Sequence, residues 1–138
     1  MKETDMNDTA TTFNGYEYNE FGVCMNPDIP YTFGRYNDYH FSIKVSETPR
    51  GWVYGYDWAN KSGGGGGGCW LNTRTCFPSR SRAILDCAYC IKERYRDDNG
   101  ASKAMAELDR IISKEITAAE ALSKVKTSGA IQLSLFEF

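Results

Sequence analysis

At 138 residues, with 41% hydrophobic and 25% charged side chains, the chain has the length and make-up of one globular domain, which excludes an intrinsically disordered polymer. Its net charge of −2 argues against whole-molecule binding of polyanions. No apolar run is long enough for a bilayer crossing and the acidic, polar N-terminus is not a secretion signal, so a cytoplasmic protein with reduced cysteines and no membrane partner is expected.

Residues 1–12 have no large apolar side chain apart from methionine and read as a disordered N-terminus. A single α+β domain is expected over 13–126. From Phe13 to Asp38, breakers at Gly15, Gly22, Pro27, Pro30 and Gly34 recur too often for a helix and indicate turns with short extended pieces. In Tyr39–Glu47 the side chains of Phe41, Ile43 and Val45 alternate with His40, Ser42, Lys44 and Ser46, the period of a half-buried strand. Thr48-Pro49-Arg50-Gly51 supplies a turn, and Trp52–Trp58 follows as a second strand with Trp52, Tyr54, Tyr56 and Trp58 on one face.

The six glycines Gly63–Gly68 read as a loose connection, because glycine loses the most backbone entropy on ordering. A third strand is expected over about 70–77, ended by Pro78, with Ser79 or Ser81 capping a helix over about 80–96. Ile84, Cys87, Ala88, Ile91 and Tyr95 share a face of that helix. A second helix over 101–115 carries the stripe Met105, Leu108, Ile112 and Ile116, and Thr117-Ala118-Ala119-Glu120 has the form of a capping box for a short third. The expected fold is therefore a three-stranded antiparallel sheet packed against two or three helices. Thr127-Ser128-Gly129 then releases a flexible C-terminal tail, 127–138.

That tail holds Gln132-Leu133-Ser134-Leu135-Phe136, which resembles at all five positions the peptide with which bacterial replication and repair proteins bind the DNA polymerase sliding clamp. The resemblance implies that Gln132 makes polar contacts at a pocket rim, while Leu133, Leu135 and Phe136 fill an apolar groove. The sliding clamp is thus the expected protein partner. The order of strands and helix, with Gly51-Trp52 and Phe77-x-Ser79-Arg80 as its marks, is similar to small β-β-β-α modules of phages and plasmids, such as the arm-binding domains of tyrosine integrases and HicB-type antitoxins. This second likeness implies DNA as an alternative partner, with Arg74, Arg80, Arg82, Lys92 and Arg96 as phosphate contacts. Asp86 and Glu93 lie near those cations at helical spacing and would pair with some of them.

Cys69, Cys76, Cys87 and Cys90 form a set with ligand-like spacing, and a structural zinc is one reading. The Cys87–Cys90 pair falls inside an amphipathic helix, where buried thiols serve as small apolar groups, and that reading is preferred. His40, the only histidine, sits on the polar side of its strand without a local triad partner. The glycine run lacks the Lys-Ser or Lys-Thr of a phosphate loop, and the carboxylates are scattered. No cofactor and no enzymatic activity are expected. The sequence points to a small accessory protein of a phage or mobile element that docks on the clamp, with a DNA-binding regulator as the alternative.

Overall fold

The computed structural model describes residues 10–35 and 38–134, with side chains as far as residue 121. Its centre is the alternating segment around Phe41. Strand β4 (His40–Thr48) buries Phe41, Ile43 and Val45 completely, so the apolar half of the alternation faces the core as its period requires. Strand β5 (Gly51–Asn60) returns antiparallel through the two-residue turn Pro49-Arg50, in register from Thr48 opposite Gly51 to His40 opposite Ala59. The Thr48 hydroxyl fixes this turn, donating to the Gly51 carbonyl (2.9 Å) and accepting from the Arg50 N–H (3.2 Å).

On the other side of β4 lies β3 (Asp28–Gly34), whose register shifts between Asp28 and Tyr31. Pro30 falls in that shift, where a residue with no N–H interrupts no ladder bond. Strand β6 (Gly63–Gly66) closes the sheet at the outer edge of β5, in the order β3-β4-β5-β6. A separate hairpin joins β1 (Thr11–Phe13) to β2 (Tyr16–Tyr18) through Asn14 and Gly15, both at positive φ (50° and 88°) as the tightest hairpin turns demand.

Helix α1 (Arg80–Tyr95) starts at Ser79, whose side chain accepts the Arg82 N–H at 3.2 Å. A 3-10 turn (Asn99–Ala101), capped by Asp98, leads into α2 (Ser102–Ser134). The two helices cover one sheet face. Cys87, Ala88 and Ile91 of α1 and Met105, Leu108 and Ile112 of α2 pack with Phe33, Phe41 and Ile43, and with the half-buried rings of Tyr54, Tyr56 and Trp58. On the opposite face, Tyr18, Cys24 and Cys69 gather over Val53 and form a smaller second layer. There the Tyr18 hydroxyl donates to the Glu47 carbonyl (2.6 Å) and shares a hydrogen bond with the Ser46 hydroxyl (2.8 Å), so buried Ser46 has a partner.

The α+β class, the β4–β5 hairpin and helix α1 agree with the sequence reading; three details do not. The four-stranded sheet replaces the expected three-stranded one, because the glycine run itself is the returning strand and Asp28–Gly34, in the stretch read as turns, adds β3 at the other edge. Asn60 Oδ1 accepts the N–H groups of Ser62 (2.9 Å) and Gly63 (3.1 Å), which turns the chain at once and lays the glycines along β5. Residues 70–77, expected as the third strand, make only isolated bridges, Val23 with Trp70 and Trp52 with Phe77. Finally, α2 is one helix where two helices and a flexible tail were expected. The Thr117 hydroxyl donates back to the Ser113 carbonyl (3.0 Å), a bond within a continuing helix rather than a cap on a new one. The helical backbone includes Thr127-Ser128-Gly129 and ends at Ser134. Of the expected disordered N-terminus, residues 1–9 lie outside the described residues, and Thr11 and Thr12 belong to β1.

Two substitutions test this architecture. A Cβ on Gly55 would stand 2.4 Å from the Gly67 carbonyl oxygen and 2.6 Å from that of Gly68, so Gly55→Ala should cost about 1–3 kcal/mol as an overpacked core position. Tyr18→Phe leaves buried Ser46 without that partner and should cost about 1–3 kcal/mol. Urea titrations of both variants measure these losses, and an unchanged midpoint for either would contradict the packing described.

Candidate functional site

The five basic residues put forward as phosphate contacts do not form one open patch. Arg80 lies 3.6 Å from Asp28, whose carboxylate also accepts the Tyr16 hydroxyl at 2.7 Å. Lys92 bridges to Asp109 of α2, and Arg96 faces Glu93 (3.3 Å) and Asp97 (3.9 Å). Arg74 and Arg82 are exposed and form no ion pair among the described residues. Exposed pairs of this kind add little stability, but they place an acid beside three of the five cations. The outward side of α1 is therefore mixed in charge.

The four cysteines separate. Cys87 is buried on the helix side of the sheet, Cys69 in the second layer on the other side, and Cys90 is exposed on α1. Cys76 packs at the margin of the second layer. Among the described residues no three His, Cys, Asp or Glu side chains stand together as metal ligands, so the zinc reading of this set has no geometry behind it. Burial pushes the Cys87 thiol well above its ordinary range, as expected of a core thiol. His40 is half-buried on the polar side of β4, opposite Gly34 and Ala59.

Gln132 and Leu133 fall in the last turn of α2, and Leu135 and Phe136 lie outside the described residues. The burial of α2 changes along its length. Ala104, Met105, Leu108, Ile111, Ile112 and Glu115 are buried, Ala119 is half-buried, and Ile116, Thr117, Ala118, Glu120 and Ala121 are exposed. No helix of the described residues is long and apolar enough to cross a membrane.

Two concave surfaces were not visible in the sequence. One, of 360 Å³, lies between the helices, floored by Phe77, Leu85 and Ile116 and rimmed by Arg82, Asp86 and Glu120. The other, of 380 Å³, lies at the glycine edge, between Tyr56, Trp58, the backbone of Gly66–Gly68 and Arg94. The signal for the second was present: alternating aromatics immediately before a glycine run put large rings beside an edge with no side chains.

A third feature is a set of phenol–carboxylate bonds between elements. Tyr31 donates to Glu115, which is buried in α2; Tyr54 donates to Asp86 (3.0 Å) and Tyr39 to Asp98 (2.8 Å). Burial, aided by the Glu115 bond, pushes Tyr31 up to about 12, and burial pushes Tyr18 up to about 12 against the lowering effect of Ser46. Tyr16 and Tyr54 are raised further, by burial first and then by Asp28 and Asp86. Compared with family models, curated proteins and solved structures, the chain matches none.

The tyrosines dictate an alkaline limit. A phenol that holds its proton more tightly in the folded chain contributes its full stability below the ordinary value of 10 and loses it as pH rises through the folded value. The urea midpoint should therefore fall between pH 10 and pH 12, and fall less steeply in a Tyr18→Phe, Tyr31→Phe double variant. Midpoints that stay level across that window would contradict the assignment.

Proposed function

We propose that the protein is a small, non-enzymatic accessory factor of a phage or mobile element that docks on the bacterial DNA polymerase sliding clamp through Gln132, Leu133, Leu135 and Phe136. The observation that carries this reading is the five-residue match of QLSLF, which follows Glu115, the last buried position of α2 among the residues whose side chains are described. Gln132 follows Glu115 by 17 residues, about 25 Å along a helix at a rise near 1.5 Å per residue.

Seating three apolar anchors and a glutamine in one groove requires the last turn of α2 to unwind. Thr127, Ser128 and Gly129 are weak helix formers, and glycine alone costs about 1 kcal/mol relative to alanine within a helix. Unwinding from that point is accordingly inexpensive. Direct DNA binding through α1 finds less support, because Arg80, Lys92 and Arg96 each have an acidic neighbour.

Leu135→Ala with Phe136→Ala should reduce affinity for a bacterial clamp at least a hundredfold, about 3 kcal/mol, while the circular dichroism of the body stays the same. Calorimetric titration reads this, and equal binding by the double variant, or none by the unaltered chain at micromolar concentration, would overturn the reading. Gly129→Ala, which strengthens the helix, should weaken binding by a factor of roughly 5. Tighter binding by that variant would show that the peptide docks as a helix.

A further inference from the structure

In the second layer the segments around Cys24 and Cys69 run antiparallel. The Cys24 N–H donates to the Cys69 carbonyl at 2.9 Å and the Leu71 N–H to the Gly22 carbonyl at 2.7 Å, on either side of the Val23–Trp70 bridge. This register sets Cys24 directly opposite Cys69. Directly opposed residues of an antiparallel pair project to the same side, and both cysteines join one buried cluster with Tyr18 and Val53. A hydrogen-bonded antiparallel pair holds its Cα atoms about 5.5 Å apart, within the range of roughly 4.4–6.8 Å that a disulfide spans. Both residues are thiols in the structure.

We propose that Cys24 and Cys69 are a redox modification site, closed to an intrachain disulfide by a low-molecular-weight disulfide such as oxidised glutathione. In the first step the Cys24 thiol loses its proton and its sulfur attacks the small disulfide. The S–S bond of the reagent breaks, a mixed disulfide forms on Cys24, and the departing thiolate takes up a proton. In the second step Cys69 loses its proton and attacks the Cys24 sulfur, displacing the other small thiol, which is protonated in turn. Two protein thiols are oxidised and one small disulfide is reduced to two thiols.

The order of attack follows from exposure. Cys24 is 6% exposed and Cys69 fully buried, and burial pushes the Cys69 thiol up to about 12, which leaves little thiolate there before the first step. Access comes from the glycine edge. β6 and Gly67 are exposed, and β6 is an edge strand paired on one side only, to β5, the kind of element that opens first. No other cysteine stands directly opposite one across a strand pair, although Cys76 packs at the margin of the same cluster. Cys87 is across the sheet, Cys90 is exposed on α1, and Cys76 lies beside Gly51, next to a residue that bridges to Trp52. A bond from 24 to 69 would close a loop containing β3 to β6 and so restrict the unfolded chain.

The test is incubation of the full chain, folded, with oxidised glutathione, followed by intact mass, digestion without reduction, and thermal unfolding. The expected results are a mass lower by two hydrogens, linked peptides containing Cys24 and Cys69, and a higher unfolding midpoint that returns to the original value after reduction. Cys24→Ser and Cys69→Ser should each abolish the link and the shift, with Cys24→Ala and Cys69→Ala serving if serine prevents folding. Cys76→Ser should retain both. A link through Cys76, Cys87 or Cys90, a glutathione adduct that persists on Cys24, or no reaction at a concentration that oxidises the urea-unfolded chain would each overturn the proposal.

Discussion

At Gly55, in the middle of β5, another stretch of backbone crosses the sheet at a separation that no side chain permits. The carbonyl oxygens of Gly67 and Gly68 occupy the space where a Cβ would stand, and the Gly67 N–H donates to the Tyr56 carbonyl at 2.9 Å. That crossing delivers Cys69 into the second layer, where it meets Cys24 and Tyr18 over Val53. Together with Tyr18 and Cys24 it covers the face of β4 and β5 that carries Ser46 and Val53. β5 is thus bulky on one face, with Tyr54, Tyr56 and Trp58 toward the helices, and nearly bare on the other. Glycine in a strand interior costs about 0.5–1 kcal/mol relative to alanine. Here the cost is offset by a covered second face.

The phenol groups solve a related problem. A chain with 14% aromatic residues has large rings to bury, and nine of these residues are tyrosines whose hydroxyls need partners. Tyr16, Tyr31, Tyr39 and Tyr54 each reach a carboxylate on a different element, and Tyr18 reaches Ser46 and the Glu47 carbonyl. Each ring fills apolar space while its hydroxyl ties two elements together. Among the described residues no buried side-chain nitrogen or oxygen lacks a partner. Part of the acidic character of the chain is therefore structural: Asp28, Asp86, Asp98 and Glu115 accept bonds within the fold.

How much of this could be read beforehand depends on the range of the interaction. Strand β4 was legible because Phe41, Ile43 and Val45 alternate with polar residues, and α1 because its apolar spacing and Ser79 cap are local. Asn14-Gly15 also carries a local hairpin signal, hidden in a stretch dense with other breakers. The glycine edge was not legible, since a strand with no side chains has no periodicity, and only the Asn60 turn decides its course. The capping box at Thr117 misled for a physical reason: the same hydroxyl can bond forward to begin a helix or back to continue one, and the apolar stripe beneath it decides. Of the candidate site, the QLSLF peptide was visible as a pattern, whereas the scatter of the cysteines and the pairing of the cations depend on contacts between residues distant in sequence, such as Lys92 with Asp109.

Helix α2 joins these two kinds of information. It spans 33 residues, about 50 Å at the usual rise, and the body holds its first portion through Leu108, Ile112 and the Tyr31–Glu115 bond. Beyond Glu115, Ile116, Thr117 and Ala118 are exposed and Ala119 is half-buried. Helical stability in proteins comes mostly from packing of an apolar face. Thr127, Ser128 and Gly129 weaken the end further. In the proposed docking, a partner that binds only the unwound peptide shifts the equilibrium by its difference in affinity for the two forms. The Tyr31–Glu115 bond thus ties the first portion of α2 to β3, the edge strand of the sheet.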